Sequence, residues 1–227
     1  MQRRLGPGTV TLQRPRLLLT GFGPFPGTPV NASAVLVAEI ADRLVHRLVH
    51  VELRIAVLPT EWKAGPAEVQ RQIMGFQPEI ALHFGVASGT TGFRIETLAE
   101  NARNRLTDAS GHVPRRRAIS ATSPPHLLST FPADRIRQRL AALDLPVEMS
   151  TDAGRYLCNA TLFRSLSLTR MAKGARMAGF IHIPSALGDP EQAQSLQNFD
   201  WPRAIAGGLA IVETCLAHVP EPSGISV

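Results

Sequence analysis

The chain has 227 residues, 44% hydrophobic and 19% charged, enough to bury one large core or two small ones. No apolar run approaches the ~20 residues a membrane span needs, and Leu17-Leu18-Leu19 is too short for a signal-peptide core, so a cytoplasmic protein without membrane contact is expected. The net charge of +6 comes almost wholly from scattered arginines, with one Arg115-Arg116-Arg117 triplet and a single tyrosine to stack on bases, which favours a solvated basic surface over a nucleic-acid site.

Residues 1–15 carry Arg3, Arg4 and Arg14 with no acid and read as a loose extension; residues 16–227 read as a single domain. Arg16 to Gly21 is a short apolar strand. Asn31 is placed to cap a helix reaching about Leu44, with Leu36, Val37, Ile40 and Leu44 on one face. Val51 to Val57 alternates and predicts a half-buried strand. A helix over 66–76 precedes Ile80 to Val86, which is apolar except for His83, as in a central strand covered on both faces. The stretch from Gly89 to Pro125 lacks periodicity, and so long an irregular segment is usually functional. Helices are predicted over 132–143 and 158–171, then a strand over 180–183 ended by Pro184. A last helix carries Ile205, Leu209, Val212, Leu216 and Val219. Strands alternating with helices imply an α/β fold with a mostly parallel, mixed central sheet between helical layers.

Gly21-Phe-Gly-Pro-Phe-Pro-Gly27 fails the G-x-G-x-x-G spacing, and its prolines have no N–H to offer a phosphate. It fits better as a rigid loop presenting Phe22 and Phe25 as an apolar wall. No nucleotide-hydrolysing loop is present, the seven histidines are dispersed, and no metal or cofactor is expected.

Two cysteines cannot build a disulfide framework and point to a reducing compartment. Cys158 follows a Gly turn and opens an apolar-periodic helix. A thiol in the first helical turn sits in the field of unpaired N–H groups, which favour a thiolate and can hold an oxyanion. Cys158 is therefore a candidate nucleophile, against the plainer reading of a small buried apolar side chain. His182, in Gly179-Phe-Ile-His-Ile-Pro184, is a core histidine if alone and a base if it meets the thiol. A carboxylate should then orient the imidazole, and Glu96 and Glu100 are both candidates.

These segments resemble the pyroglutamyl peptidase I (pyrrolidone-carboxylate peptidase) family of cysteine peptidases. The resemblance runs from about Arg16 to Pro184. It rests on Thr20-Gly-Phe-Gly-Pro-Phe25, Val30-Asn-Ala-Ser33, Leu58-Pro-Thr60, Glu96-x-x-Ala-x-Asn101, Asp108 with Gly111, Asp152-Ala-Gly-Arg-Tyr-Leu-Cys158 and Phe180-Ile-His-Ile-Pro184. It implies a single three-layer α/β/α domain and hydrolysis of the amide after an N-terminal pyroglutamyl residue through a thioester. Cys158 would be the nucleophile, His182 the base and Glu96, which heads the E-x-x-A-x-N pattern, the carboxylate. Phe22 and Phe25 would enclose the pyrrolidone ring, with Thr60, Val86, Leu106, Tyr156 and Leu157 at pocket positions. The partners implied are pyroglutamyl peptides and further copies of the chain, a tetramer by resemblance. Val86, where bacterial members commonly carry Gln, and Pro26, where Gly is usual, bear on substrate preference. The competing readings are a cysteine amidase for another small N-acyl group and a non-catalytic binding protein on the same fold.

Overall fold

The structure, a computed structural model, describes residues 14–219, so most of the expected extension over 1–15 lies outside the described residues. Continuous apolar runs form three of the inner strands: Arg16–Phe22 (β1), Ile80–Ala87 (β3) and Met177–Pro184 (β8). Each is buried along nearly its whole length, as a strand covered by helices on both faces must be. The flanking strands are Glu52–Leu58 (β2), Phe93–Glu96 (β4) and Val147–Ser150 (β7), and the six align in the order β2-β1-β3-β8-β4-β7. β2, β1, β3 and β8 are parallel; β4 runs antiparallel to β8, with β7 parallel to β4. The sheet is thus mixed and mostly parallel, as expected.

Helices cover both faces. On one side Ala32–Val45 (α1), Ala133–Ala142 (α3) and Trp201–Leu216 (α6) pack Leu36, Ile40, Ile136, Leu140 and Ile211 against Leu17, Leu19 and Ile181. On the other, Ala64–Phe76 (α2) and Leu157–Arg170 (α4) pack Val69, Ile73, Leu162 and Phe163 against Leu18, Ala81 and Phe180. Each fully buried Leu or Phe here stabilises the fold by about 1.5–3 kcal/mol. Asn31 caps α1 as expected, its side chain accepting the Ser33 N–H. A separate antiparallel pair, Leu98–Glu100 (β5) with His126–Leu128 (β6), closes the irregular segment between them.

One expectation needs correction. β2 forms where alternation placed it, but Ile55 and Val57 are 45% and 57% exposed rather than buried. β2 is the last strand of the sheet, and beyond that edge the apolar side of the strand finds little to pack on.

Candidate active site

Parallel strands carry their C-terminal ends to one edge of the sheet, and the candidate residues gather there. Register puts Gly85 of β3, His182 of β8, Arg94 of β4 and Glu148 of β7 in one cross-strand row. Two residues further down, a second row on the same face holds His83, Phe180, Glu96 and Ser150. Side chains two residues apart share a face, so Glu96 lies diagonally below His182. Its Oε1 stands 2.8 Å from His182 Nδ1. Both groups are buried, and Glu96 Oε2 has no partner among the described residues. Cys158 lines the same cleft as His182 and acts on the same ring.

Cys158 is the second residue of α4. Tyr156 caps that helix without a side-chain bond, and the first intrahelical bond runs from Ala160 N–H to the Tyr156 carbonyl. The N–H groups ahead of Ala160 therefore precede the ladder, beside the sulfur. Asn159 fixes this start: its amide donates to the carbonyls of Glu100 (2.9 Å) and Ala102 (2.8 Å), and its oxygen accepts the Glu100 N–H (2.8 Å). The start of α4, with Cys158, is thereby tied to β5.

Electrostatics follow from this packing. Burial would push the His182 pKa down; the Cys158 charge and hydrogen bond, then the hydrogen bond and charge of Glu96, outweigh it and raise the pKa to about 9. His83, on the same face, has only burial acting on it and falls to about 3, its Nδ1 within 2.8 Å of Thr20 Oγ1. Glu100 is not at the centre: it pairs with Arg155 at 2.7 Å on the surface. Among the described residues, no three His, Cys, Asp or Glu side chains are grouped as metal ligands would be.

A cleft of about 490 Å³ opens over the sulfur, lined by Phe25, Thr28, Val86, Tyr156, Cys158 and His182 among others. Phe25 is held there by a tight turn, Phe25 N–H to Thr28 carbonyl and the reverse, with Pro26 and Gly27 at its corners. Gly27 has φ of 81°, where only glycine is comfortable, and Pro26 suits the position before it. A larger cavity of about 610 Å³ between α1 and α6 holds no nucleophile and has Val35, Arg43 and Trp201 in its walls.

Four sequence-expected pocket residues sit elsewhere. Phe22 is 3% exposed and packs on Phe180 at 6.2 Å, because β1 extends one residue past Gly21 and turns this ring inward. Leu157 points into the core from the first turn of α4. Thr60 is buried, its hydroxyl donating to the Gly23 carbonyl and bracing the opening loop. Leu106 is exposed, and its carbonyl accepts the Trp62 indole N–H. Conversely, Arg94, Asp152 and Ser185 line the cleft although no sequence pattern singles them out as cleft residues. Arg94 lies in the aperiodic segment, and Asp152 belongs to the motif that ends at Cys158 without any spacing that ties its side chain to the cleft.

The family profile described as pyroglutamyl peptidase matches residues 15–204. The chain is 31% identical over 186 residues to a pyrrolidone-carboxylate peptidase of Halalkalibacterium halodurans, covering 81% of this chain and 90% of that one. It is 34% identical over 181 residues to the corresponding Vibrio vulnificus protein, covering 79% and 82%. A mutant pyrrolidone carboxyl peptidase from Pyrococcus furiosus superposes with a TM-score of 0.81 at 25% identity, over 90% of this chain and 99% of that one.

Proposed function

The chain belongs to the pyroglutamyl peptidase family of cysteine omega peptidases, and from that premise we propose that it removes N-terminal pyroglutamyl residues with Cys158, His182 and Glu96. The observation that carries the reading is the buried imidazole held by Glu96 at 2.8 Å in the cleft that Cys158 also lines.

The pyroglutamyl ring enters the cleft against Phe25, Val86 and Tyr156, where an apolar wall suits a ring with no free amine. Cys158 attacks as thiolate, the sulfur–carbon bond forms, and the carbonyl electron pair becomes an oxyanion held by N–H groups at the start of α4. The carbon–nitrogen bond then breaks and the imidazolium of His182 gives its proton to the leaving amine. The neutral imidazole next takes a proton from water as that water attacks the thioester. Pyroglutamate leaves, the sulfur departs as thiolate, and His182 is again protonated. Glu96 keeps Nδ1 protonated, so the opposite nitrogen does the transfers.

Release of arylamine from a pyroglutamyl-arylamide tests this directly. The wild type is expected to turn over and Cys158→Ala to be inactive; equal turnover by the variant would overturn it. A second reading, a cysteine amidase for another small N-acyl group, is favoured by Val86, whose side chain offers a lactam no hydrogen bond. A panel of N-acyl arylamides separates the two.

A further inference from the structure

The cleft is chemically lopsided along the strand order. Phe25 follows β1 and Val86 lies one residue before the end of β3, both on one side of His182; Arg94 on β4 and its partner Glu148 on β7 lie on the other. The ideal Cβ position at Gly85 lies 3.2 Å from Cys158 Sγ, so the sulfur stands over β3, one strand short of the imidazole. A scissile amide attacked there keeps its acyl part on the apolar side. Its leaving nitrogen must reach His182, and whatever follows that nitrogen extends toward β4.

The side chain met there is Arg94, directly paired with His182 in the register and, His182 apart, the only basic side chain among the described residues lining the cleft. Its Nε donates to Glu148 Oε1 at 2.5 Å, which fixes the guanidinium plane. No bond to its two Nη groups is found among the described residues, and the side chain is 28% exposed. A guanidinium anchored through Nε presents its remaining donors as a planar fork, which matches a carboxylate. Asp152, the cleft's carboxylate, is occupied in its own turn, accepting the Gly154 N–H at 2.9 Å.

We infer that Arg94 is a specificity-determining residue that selects leaving groups bearing a carboxylate next to the scissile amide. This rests on the peptidase reading above and names the substrate class within it. The carboxylate has two sources: the free α-carboxylate of a pyroglutamyl dipeptide, or an acidic side chain on the residue after pyroglutamate.

The test is kcat/KM for two matched pairs, with the uncharged pyroglutamyl-arylamide as reference. Pyroglutamyl-alanine against its amide isolates the α-carboxylate; pyroglutamyl-glutamate amide against pyroglutamyl-glutamine amide isolates the side chain. The wild type is expected to favour the carboxylate about fivefold in at least one pair at low ionic strength. That preference should shrink as salt is raised, a response a purely structural role would not give. Arg94→Gln should bring the ratio close to one. Glu148→Gln, which keeps Arg94 and removes its countercharge, should raise the ratio above the wild-type value, and it decides the question if the first variant fails to fold. Ratios at or below one for both wild-type pairs, a preference that survives Arg94→Gln, or a ratio not raised by Glu148→Gln would overturn the inference. Wild-type turnover of the arylamide with no carboxylate preference removes this inference alone; no turnover of any pyroglutamyl compound removes the peptidase reading and this one with it.

Discussion

Gly85 lies against the sulfur of Cys158. A Cβ at that position would stand 3.2 Å from Cys158 Sγ and 2.6 Å from Phe180 Cζ. The Phe180 ring is itself 4.8 Å from the His182 ring and cannot yield without moving the imidazole. Gly85→Ala is therefore expected to lower kcat on a pyroglutamyl-arylamide by about tenfold or more, with a smaller change in KM. A variant with wild-type kcat would mean that this contact has no part in placing the nucleophile.

Glu96→Gln should lower kcat far more than Glu100→Gln, by about a hundredfold or more against less than twofold. Glu96 holds the imidazole at 2.8 Å, whereas Glu100 pairs with Arg155 on the surface. Comparable losses from the two substitutions would contradict the assignment.

The His182 imidazole, at about 9, should respond to its neighbours by NMR titration. Cys158→Ala removes the largest effects that hold it up, leaving only Glu96 to oppose burial, so the midpoint should fall below the wild-type value. An unmoved midpoint would rule out the pair. The linkage has a definite sign. A pKa raised from 6.5 to about 9 contributes stability that is fully present below about 6.5 and lost as pH rises through 9.

His83 runs the other way. Its pKa drops from 6.5 to about 3 on burial, so its contribution is present above about 6.5 and is lost as pH falls toward 3. Urea unfolding between pH 6.5 and 4 should lose stability at a slope on the order of 1.4 kcal/mol per pH unit from this group. His83→Met, which cannot take up that proton, should flatten the acid slope by that amount. Identical slopes for the two proteins would show that His83 does not titrate on unfolding.

Iodoacetamide should label Cys158 well before Cys215. Cys158 is partly exposed at the cleft, while Cys215 is fully buried in α6 and burial pushes its thiol up to about 12. Peptide mapping that finds Cys215 modified first would contradict this.

What is legible in the sequence follows from which physical signal each element carries. The apolar runs of β1 and β3 announce burial on two faces and appear where expected, whereas β8 starts at Met177, three residues before the expected strand, and α6 ends at Leu216, short of Val219. β4 and β7 send no such signal, because four residues are too few for a period. Phe93-Arg-Ile-Glu alternates for one side only, and its polar members are the ones the site uses. Cys158 and His182 can be named from local chemistry, but neither can be tied to Glu96 without knowing that β4 runs against β8. Phe22 illustrates the converse: one residue more of strand turns an expected cleft wall into core.

That reversed strand also decides how the protein could be retuned. Within four residues it carries Glu96, proposed to steady the proton carrier, and Arg94, proposed to face what departs, two residues apart on the same side. Sliding β4 by a single residue would send both behind the sheet and bring Phe93 and Ile95 forward, so the ladder cannot drift without disarming the enzyme. Replacing the side chain at 94 leaves the ladder intact. If Arg94 reads the leaving group as proposed, selectivity has an address separate from turnover, and a library confined to that position could explore new leaving groups on an unchanged engine.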